Sequence, residues 1–532
     1  MREKAEANGQ DLLLVDTGDR IEGNGLYDAS DPKGRYTFDI FKQQHIDVIC
    51  TGNHELYKRN SSENEYDITV PNFRDGYLAS NLDIMDPNTG DWVPLAPRFK
   101  KFTTKKQGIR IMAFGFMYDF LGNENNTMIQ PVEDSVKETW FQDAIRDPEV
   151  DLFLVIGHVP VRSPEYLELF KAIRKVQWDT PIQFFGGHTH IRDYKKYDAK
   201  SFALESGRFM ETIGFQSIDG LSTGTNDIQI TGAPKFSRKY IDNNLFSFYH
   251  HTDLNATTFP TEFGQNVSKE IKEARANLSL DSPYGCAEQD LWMSRAEYPS
   301  NSSIFTWLEQ RVLPDIVLDK NRANSSRLAM VNTGGIRFDI FKGPFTRDST
   351  YIVSPFISGF RYVKDVPYDK ASQLLSILNN NGQILQGIEP SLQSWMLAPI
   401  EQRSYPADVL VVELSNQHDG AHQIPLIAEP DLTPGYTTKD DAGSDGDDTV
   451  HAPISFYRVP NVIQSRIDPP SQLGDPETVD VVYIEFIEPW VLLAFKFLDL
   501  DYSIKDTAIY MEDENLTTLL AKWVTANWQG DC

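Results

Sequence analysis

The first half of the chain alternates short apolar runs with stretches that have the spacing of surface helices. The apolar runs are DLLLVDTGD, IDVICTGNHE, IRIMAFGFM, VDLFLVIGHVP and IQFFGGHTH. Continuous runs of Val, Ile, Leu and Phe joined by helices are typical of strands that are covered on both faces. Most of these runs stop at a glycine followed by Asp, Asn or His, and in layered α/β folds ligands bind at the carboxyl ends of strands. The pattern therefore predicts a binding site at the strand ends.

The rest of the pattern predicts elements on either side of these runs. The first ten residues, MREKAEANGQ, have the pattern of a surface helix, and residues 11–19 have that of a buried strand. In residues 266–278 the charged sequence NVSKEIKEARANL places Ile271 and Ala274 on one helix face, which predicts a connecting helix. Further apolar segments follow, including RLAMVNTGGIRFDIF and YIVSPFISGF. We therefore expect two α/β-type domains joined by a helical linker, with the active site in the cleft between them.

Composition and charge exclude several classes of partner. The 532 residues include 50 Lys and Arg against 77 Asp and Glu, which gives a net charge of −27, and 40% are hydrophobic. This negative charge would repel nucleic acid and anionic membranes, so neither is expected as a partner. The most apolar stretch, residues 481–500, is broken by Glu485, Glu488, Pro489 and Lys496, which indicates a buried strand and helix and no membrane span.

Asn-x-Ser/Thr triplets are more frequent than chance would give. About three or four are expected in a chain of this length and composition. Eight are present, at Asn60, Asn125, Asn255, Asn266, Asn277, Asn301, Asn324 and Asn515. The excess indicates a glycoprotein of the secretory pathway, although MREKAEANGQ is no secretory signal, because it has charges and no apolar core.

The chain has three cysteines, Cys50, Cys286 and Cys532. They allow at most one intrachain disulfide, which the sequence alone does not assign, and their wide spacing excludes a zinc ribbon. Cys50 ends the apolar run IDVIC and is expected to be buried as a small hydrophobic residue.

A Gly- and Asp-rich segment, TKDDAGSDGDDTVH, occupies residues 438–451. An EF-hand calcium loop fails here, because the twelfth position counted from Asp441 is Ala452, where such a loop carries Glu. The segment is predicted to be a solvated loop, and the alternative is that its residues from Asp445 to Asp448 face the substrate.

Four strand ends carry side chains that can bind a metal ion or transfer a proton. They are Asp19 in TGD, Asn53 and His54 in GNHE, His158 in GHVP, and His188 and His190 in GHTH. Carboxylate, amide oxygen and imidazole are the ligands of Zn²⁺, Mn²⁺ and Fe²⁺. The neighbouring glycines suit strands that turn sharply and aim their last side chain at a shared ion. Alternation along an extended GHTH would point His188 and His190 to the same side. The set predicts a metal centre assembled from several strand ends.

This ordered set of motifs resembles the calcineurin-like metallophosphoesterase superfamily, and later residues narrow the resemblance to its 5′-nucleotidase branch. That branch carries Asn-x-Gly-Gly-Ile-Arg and then a Pro-Phe element, which NTGGIR at 332–337 and SPF at 354–356 match. The resemblance covers nearly the whole chain and is greatest to the fungal, secreted or vacuolar members. It implies an α/β fold, α+β overall: a four-layer α/β/β/α metallophosphoesterase domain in residues 1–255, a helical linker in 256–280, and a 5′-nucleotidase-type α/β domain for substrate binding in 281–532.

The resemblance also implies a role for each motif of the first domain. Asp19 would bridge two divalent metal ions, which would be Zn, Mn, Mg or Fe. The remaining ligands would be Asn53, His158 and His188 for one ion and His190 for the other. His54, the second catalytic residue beside Asp19, would donate a proton to the leaving group or stabilise its charge. Two ions held about 3.5–4 Å apart would generate a hydroxide and neutralise the phosphate.

In the second domain, residues of NTGGIR and SPF would bind the substrate: Asn332, Gly334, Gly335, Arg337 and Phe356. The Arg337 guanidinium is a planar fork that suits phosphate or ribose oxygens, and the alternative is an ordinary salt-bridged surface arginine. Phe356 would stack on a nucleobase, or else be a buried residue of a Pro-led turn.

Two motifs of the branch are absent from this sequence. Asp-x-His, expected upstream of the first strand, would lie before Met1, which leaves one metal with Asp19 and His190 alone. We interpret this as an N-terminally shortened sequence, and the alternative is a natural form that has lost a metal. The later Gly-Gly-Asp-Gly-Phe element is missing too, since ANWQGDC stands in its place. The substrate could therefore be a nucleotide, a nucleotide sugar or another phosphate ester.

The predicted function is metal-dependent hydrolysis of phosphomonoesters, with release of phosphate from nucleoside 5′-monophosphates. The alternatives are a non-catalytic homologue that acts as a binding or scaffold protein, a phosphoesterase for nucleotide sugars or other esters, and a protein phosphatase, which the large second domain disfavours. The expected partner is a small nucleotide, and the sequence leaves the oligomeric state open. The expected location is outside the cell, in the cell wall or in the vacuole.

Overall fold

The chain forms two compact units, and each unit is built from three segments that are separate in the sequence. The computed structural model describes residues 1–221, 234–380, 397–403, 431–434, 438–442, 446–449, 453–530 and 532. The first unit contains Met1–Ile21, Thr37–Ile271 and Pro434–Pro453, and the second contains Glu22–Tyr36, Lys272–Thr433 and Ile454–Cys532. Both units mix strands with helices, which confirms the predicted α/β class.

The strands of the first unit form one large sheet and several small ones. They are β1 (Val15–Asp16), β2 (Val48–Ile49), β3 (Leu82–Met85), β4 (Trp92–Pro94), β5 (Phe99–Thr103), β6 (Arg110–Met117), β7 (Thr127–Ile129), β8 (Leu152–His158), β9 (Ile182–Phe185), β10 (Arg192–Asp198), β11 (Ser201–Ser206), β12 (Thr212–Asp219), β13 (Lys235–Asp242) and β19 (Thr438–Asp440). Within the described residues, the large sheet has seven strands in the order β19-β10-β11-β9-β8-β6-β5. Strands β6, β8, β9 and β11 run parallel. Burial along almost all of β6 and β8 confirms the prediction of strands covered on both faces.

The first apolar run differs from the prediction. Of residues 11–19, only Val15–Asp16 form a strand, β1, and within the described chain it belongs to a two-stranded sheet with β2. Both residues are half-buried, and Leu14 is 41% exposed. The prediction of a long buried strand is therefore wrong, because the run has a neighbouring strand on one side and its side chains pack only in part. The preceding surface helix is confirmed as α1 (Arg2–Ala7), which has no buried residue.

The strands of the second unit surround a large apolar core. They are β14 (Pro283–Ala287), β15 (Arg327–Asn332), β16 (Gly343–Thr346), β17 (Phe360–Pro367), β18 (Asp431–Pro434), β20 (Pro453–Phe456), β21 (Val462–Ile467), β22 (Thr478–Ile484) and β23 (Ala508–Ile509). Among the described residues, five of them form a sheet in the order β21-β15-β22-β17-β23. Val331, Val482 and Trp490 belong to the core of this unit.

Helices connect the strands in both units. They are α2 (Gly25–Asp28), α3 (Thr37–Phe41), α4 (Arg59–Asn64), α5 (Val70–Asn72), α6 (Val132–Ser135), α7 (Thr139–Ala144), α8 (Pro164–Val176), α9 (Leu245–Thr252), α10 (Glu262–Asn277), α11 (Ile304–Trp307), α12 (Leu313–Ile316), α13 (Arg347–Val353), α14 (Tyr368–Ala371), α15 (Leu374–Asn379), α16 (Glu488–Phe497) and α17 (Leu516–Asn527). Single π turns, Glu65–Thr69 and Leu308–Val312, join α4 to α5 and α11 to α12. Short 3₁₀ turns lie at His54–Leu56, Lys320–Arg322, Thr333–Gly335, Ile400–Arg403, Glu485–Ile487 and Ile504–Asp506.

Two predicted helical segments are confirmed. Helix α10 spans the charged segment near 266–278 and buries Ala274. The apolar stretch 481–500 forms the end of β22 and helix α16, as its interrupting polar residues predicted. In the described part of the chain, we find no helix with the length and apolar composition needed to cross a membrane.

The cysteines divide between the two units. Cys286, on β14, forms a disulfide with Cys532 in the second unit. Cys50 follows β2 in the first unit, and it is a free and buried thiol. Burial raises the pKa of Cys50 well above its usual value, so the thiol is inert, as expected of a buried small hydrophobic residue.

Among the described residues of the Asp-rich segment, Asp441 and Ala442 are exposed, but the prediction of a solvated loop is wrong for Asp447 and Asp448. Asp445 lies outside the described residues. The side chains of Asp447 and Asp448 are only 6% and 2% exposed. Both carboxylates are buried because they pair with side chains of the first unit, Arg192 and His251.

Burial of Asp28, on α2, predicts a pH-dependent stability. The side chain is 0% exposed, its carboxylate accepts the Gly23 N–H at 2.8 Å, and Lys33 Nζ lies 3.3 Å away. Burial raises the pKa of Asp28 from 3.8 to about 6 in spite of these contacts. The native protein therefore keeps a proton that the unfolded chain has lost. As the pH rises through this interval, the free energy of unfolding should fall by about 3 kcal/mol, and the contribution should stay constant above it.

We expect Asp28→Asn to remove this pH dependence, because the amide does not titrate. Urea unfolding of both proteins at pH 4 and pH 7.5 checks this. Relative to the native chain, the variant should gain about 2 kcal/mol between the two pH values, because the unfolded carboxyl is already partly ionised at pH 4. An equal change in both proteins would show that Asp28 titrates in the folded chain as it does in the unfolded one.

Candidate metal centre

Turns at the strand ends of the first unit carry the predicted metal ligands. Asp19 follows β1, Asn53 follows β2, His158 ends β8, and His188 and His190 follow β9. The ligand atoms of Asp19, His158 and His188 all lie within 4.8 Å of one another. Parallel pairing of β8 and β9 accounts for part of this, because their carboxyl ends meet at the same edge of the sheet. The structure thus brings Asp19 together with two histidines that lie more than a hundred positions away in the sequence.

The Asp19 carboxylate lies at the centre of this group. Its Oδ2 is 2.9 Å from His158 Nε2 and 4.0 Å from His54 Nε2. Its Oδ1 accepts a hydrogen bond from the His54 backbone N–H at 3.0 Å. Burial by itself would raise the pKa of Asp19, but the His158 and His54 imidazoles lower it well below its usual value. The carboxylate is therefore ionised and suited to bind a cation.

The two histidines of the group present ring nitrogens that can bind a metal. His158 Nδ1 is 3.0 Å from the Thr17 carbonyl oxygen. A carbonyl only accepts, so Nδ1 carries the proton and Nε2 is left as the ligand atom. The His188 ring stacks on Tyr118 with centroids 4.4 Å apart. Burial lowers the pKa of His188 well below its usual value. His188 is thus the neutral imidazole that metal binding requires.

Asn53 tests whether these residues fit a metal ion. Its side chain is buried, and its Nδ2 donates a hydrogen bond to the Tyr57 hydroxyl at 3.0 Å. Its Oδ1 is buried and has no hydrogen-bond partner among the residues that the structure describes. An unsatisfied buried oxygen costs about 1–3 kcal/mol, and a divalent cation would satisfy it. The donor set of Asp19, Asn53, His158 and His188 therefore fits a divalent ion.

His54 and His190 lie beside this group. His54 is buried at the start of its 3₁₀ turn, and its ring packs against Tyr57 with centroids 5.2 Å apart. The His190 ring lies 6.4 Å from the Phe209 ring, and among the described residues His190 is not part of the cluster of three ligands. The expectation of an extended GHTH is wrong, because His188 and His190 have φ angles of 81° and 62°. A turn places the two rings, so strand alternation does not decide where they point.

The turns at Asp19 and Asn53 approach each other closely. Asp19 has a φ of 61°, a conformation that costs a non-glycine residue about 1–3 kcal/mol unless its surroundings hold it. A Cβ atom on Gly52 would lie 2.1 Å from Asp19 Oδ1, and one on Gly18 would lie 2.2 Å from the Gly52 nitrogen. Glycine is therefore required at both positions, as the sequence motifs suggested.

Two buried glutamates hold the ligand turns together, and neither has a role in the sequence-based prediction. The first is Glu55, whose Oε2 accepts the N–H groups of Asp19 at 3.0 Å and Gly52 at 2.8 Å. Its Oε1 accepts the Arg20 N–H at 2.7 Å. Glu55 therefore ties the turn after β1 to the turn after β2. Its position next to His54 in GNHE is the feature of the sequence that could have indicated this role.

The second glutamate, Glu205 on β11, ties together the other two turns. It accepts the Val161 N–H at 2.7 Å, after β8, and the Thr189 hydroxyl, between the two histidines of GHTH. Burial raises the pKa of Glu205 well above its usual value. The only signal in the sequence is a charged residue inside the apolar segment FALES, since a buried carboxyl group needs partners.

We expect Glu55→Gln to weaken divalent-metal binding by about 10- to 100-fold, the usual effect of losing a residue that orients ligands. The amide keeps one acceptor oxygen but places an NH₂ group against a backbone N–H that it cannot accept. Calorimetric titration with Mn²⁺ measures the loss. Glu63→Gln, on the surface of α4, is the matched control, and equal affinities in the two variants would show that Glu55 does not position the ligands.

The predicted substrate residues form a second group, in the second unit. Asn332 ends β15 and is buried, and Gly334 lies in the following 3₁₀ turn, where a Cβ atom would be 2.8 Å from the Ala398 carbonyl oxygen. Gly335 is the last residue of that turn. The Arg337 guanidinium lies 5.5 Å from the centre of the Phe356 ring. Arg337 and Phe356 are both half-buried, so each keeps part of its surface accessible.

Comparison with known proteins gives matches over the whole chain. The family model of calcineurin-like phosphoesterase matches residues 1–192, and that of the NAD nucleotidase C-terminal domain matches 290–492. An uncharacterized protein of Schizosaccharomyces pombe is 36% identical over 100% of this chain and 86% of its own length. A secreted protein of Arthroderma benhamiae is 34% identical over 99% and 85%.

A solved structure extends this similarity to the fold. The 5′-nucleotidase of Candida albicans SC5314 is 36% identical, covers 99% of this chain and 91% of its own, and superimposes with a TM-score of 0.85. The first family model contains all the predicted metal ligands, and the second contains Asn332, Arg337 and Phe356. The chain therefore belongs to the calcineurin-like phosphoesterases, a family of phosphoester-hydrolysing enzymes, and carries a C-terminal domain of the nucleotidase type.

Proposed function

We propose that this enzyme is a metal-dependent phosphomonoesterase that releases phosphate from nucleoside 5′-monophosphates. The observation that carries the proposal is the convergence of Asp19, His158 and His188, beside a buried Asn53 oxygen that lacks a donor in the described chain. The Candida albicans relative is named a 5′-nucleotidase, which supports the substrate class. The metal ligands and the substrate are our assignments.

Asp19, Asn53, His158 and His188 would hold one divalent ion, and Asp19 with His190 would contribute to a second. Divalent ions bound there would activate a water molecule and neutralise charge on the phosphate. His54 would act on the leaving group. Its ring is fixed against Tyr57, and its Nε2, 4.0 Å from Asp19 Oδ2, could pass a proton to the departing oxygen.

In the second unit, Arg337 would bind phosphate or ribose oxygens, and Phe356 would stack on the base. The guanidinium lies over the Phe356 ring, so each side chain restrains the other and less rotational freedom is lost on binding. Asn332, Gly334 and Gly335 would shape the turn that presents Arg337. The division into residues 1–255, 256–280 and 281–532 remains a prediction.

We also propose that the protein enters the secretory pathway. Seven of the eight triplet asparagines are exposed, and Asn515 is half-buried at the start of α17. The disulfide between Cys286 and Cys532 would be stable in an oxidising compartment. The Arthroderma benhamiae relative is named a secreted protein. Together these observations support an extracellular, cell-wall or vacuolar glycoprotein.

A second candidate substrate is a dinucleotide such as NAD. The family model that matches residues 290–492 is that of an NAD nucleotidase, and this region contains Arg337 and Phe356. A dinucleotide would present a phosphate and a base to these two side chains, as a mononucleotide does. Water would cleave the pyrophosphate of NAD to two mononucleotides, so the two substrates are tested side by side with separate product assays.

The test is phosphate release from 5′-AMP and, separately, cleavage of the NAD pyrophosphate to nicotinamide mononucleotide and AMP, each measured with Mn²⁺ and with EDTA. We expect Mn²⁺-dependent release that is lost in His188→Ala and kept in His45→Ala, which removes an exposed histidine of the same unit. A folded wild-type protein that hydrolyses neither substrate with Mn²⁺, Zn²⁺ or Mg²⁺ would contradict the proposal.

A further inference from the structure

A segment from the second half of the sequence is built into the first unit, next to the GHTH turn. We call the described residues 438–442 and 446–449 together the clasp. Strand β19 of the clasp lies parallel to β10 at the edge of the large sheet, with Thr438 opposite Arg192. The Asp441 N–H extends this pairing by donating to the Tyr194 carbonyl at 2.9 Å. The clasp is therefore part of the sheet that follows the predicted ligand turn.

Carboxylates of the clasp pair with arginine and histidine side chains of the first unit. The pairs are Asp441 with Arg162 at 2.8 Å, Asp447 with Arg192, and Asp448 with His251 at 2.9 Å. The acidic composition that suggests a solvated loop thus matches two arginines and a histidine on the folded unit.

Arg192 connects the clasp to the GHTH turn. It begins β10, two residues after His190, and its side chain is completely buried. Its guanidinium lies 5.2 Å from the centre of the Tyr240 ring. Tyr240 is itself bonded to the clasp, since its N–H donates to the Gly446 carbonyl at 3.1 Å. A buried guanidinium strongly requires anionic partners, so the ion pair with Asp447 helps to fix where β10 begins.

Arg162 connects the clasp to the turn after β8. It follows His158 by four residues, and its guanidinium donates two hydrogen bonds of 2.7 Å to Asp193, the second residue of β10. Asp441 adds the clasp to this pair. The clasp therefore bonds to residues just beyond both histidine-bearing turns.

We propose that the clasp is a positioning element of the metal centre. Asp447 acts through Arg192, and Asp441 acts through Arg162, to hold the turns that carry His158, His188 and His190. His188 and His190 have left-handed backbones, which persist only where the surroundings hold them. The inference rests on the proposed metal-dependent function and adds residues that touch neither metal nor substrate.

The same strand provides a matched control. Asp198, at the opposite end of β10, pairs with Arg174 at 2.7 Å. Asp198→Asn and Asp447→Asn therefore each remove one carboxylate charge from an arginine pair that involves β10. A purely structural role for the clasp would lower stability in both variants and leave the intrinsic metal affinity of the folded protein unchanged.

The experiment is Mn²⁺ titration by calorimetry on the full chain carrying Asp447→Asn or Asp198→Asn, with phosphate release measured over a range of Mn²⁺ concentrations. We expect Asp447→Asn to lower the Mn²⁺ affinity by about 10- to 100-fold. Its kcat should be recovered by excess Mn²⁺, with the KM for nucleotide unchanged. Asp198→Asn should bind Mn²⁺ as the native chain does.

Each outcome decides between the two proposals. The native protein could bind Mn²⁺ while Asp447→Asn and Asp198→Asn bind it with equal affinity. That result would overturn the proposed positioning role of the clasp and leave the proposed function unaffected. Native protein that binds no divalent metal overturns both. If Asp447→Asn does not fold, Asp441→Asn replaces it, because that side chain is 38% exposed and its loss is less disruptive. We then expect Asp441→Asn to bind Mn²⁺ more weakly than Asp198→Asn does. Equal affinities would overturn the proposed positioning role of the clasp.

Discussion

Replacement of Asp19 by Asn is expected to abolish tight divalent-metal binding and to lower metal-dependent phosphate release by about 1,000-fold, equivalent to about 4 kcal/mol of barrier. Asparagine has nearly the same shape and can still accept the His54 N–H that bonds to Asp19 Oδ1. The loss would therefore come from the missing negative charge. Asp19 is the carboxylate that lies within ligand distance of both His158 and His188.

Mn²⁺ calorimetry and phosphate release measure this effect, with Asp39→Asn on the surface of α3 as the control. Circular dichroism establishes that both variants fold. A folded Asp19→Asn protein that binds Mn²⁺ as tightly as Asp39→Asn would show that the ion, if bound, lies elsewhere.

Gly52→Ala should damage the same centre from the backbone side. The added Cβ would lie 2.1 Å from Asp19 Oδ1 and 2.2 Å from the Asp19 nitrogen, so the two turns must separate by about 1 Å or more to restore ordinary contact. Separation would also break hydrogen bonds that Glu55 makes to Asp19 and Gly52. We expect a loss of about 2–4 kcal/mol in the free energy of unfolding and a metal affinity at least about 100-fold lower.

The matched control for this variant is Gly264→Ala, in the exposed helix α10, where the nearest atom to a new Cβ is a side-chain hydroxyl at 3.2 Å. Alanine there should stabilise slightly, by up to about 1 kcal/mol. Thermal and urea unfolding compare the two proteins, and Mn²⁺ titration follows. Unchanged stability and affinity in Gly52→Ala would mean that the close approach of the turns is not needed.

The large sheet could be predicted because its central strands are buried on both faces. Strands β6 and β8 appear in the sequence as unbroken apolar runs, because a strand without a solvent-facing side has no position that favours a polar residue. The residues of the candidate site could be found for a related reason. Asn53, His158 and His188 are polar residues placed where apolar runs end, and convergence of strand ends brought them together.

Other features depend on contacts that the sequence pattern does not contain. Residues 11–19 are as apolar as a central strand, but the partners available to them decide their burial, and only Val15–Asp16 pair. The backbone of GHTH is set by bonds such as that from Thr189 to Glu205, so alternation gave the wrong geometry. The clasp contacts β10 across 245 positions of sequence, as between Lys196 and Asp441. In the sequence alone, its acidic residues therefore predicted a solvated loop.

The most direct test of a divalent ion at this centre is an anomalous difference map from a crystal of the protein grown with Zn²⁺. We expect a peak about 2.0–2.2 Å from an Asp19 carboxylate oxygen, Asn53 Oδ1 and the ligand nitrogens of His158 and His188. The assignment of the metal centre would be contradicted if the map of the folded protein showed zinc peaks elsewhere and none among these four side chains.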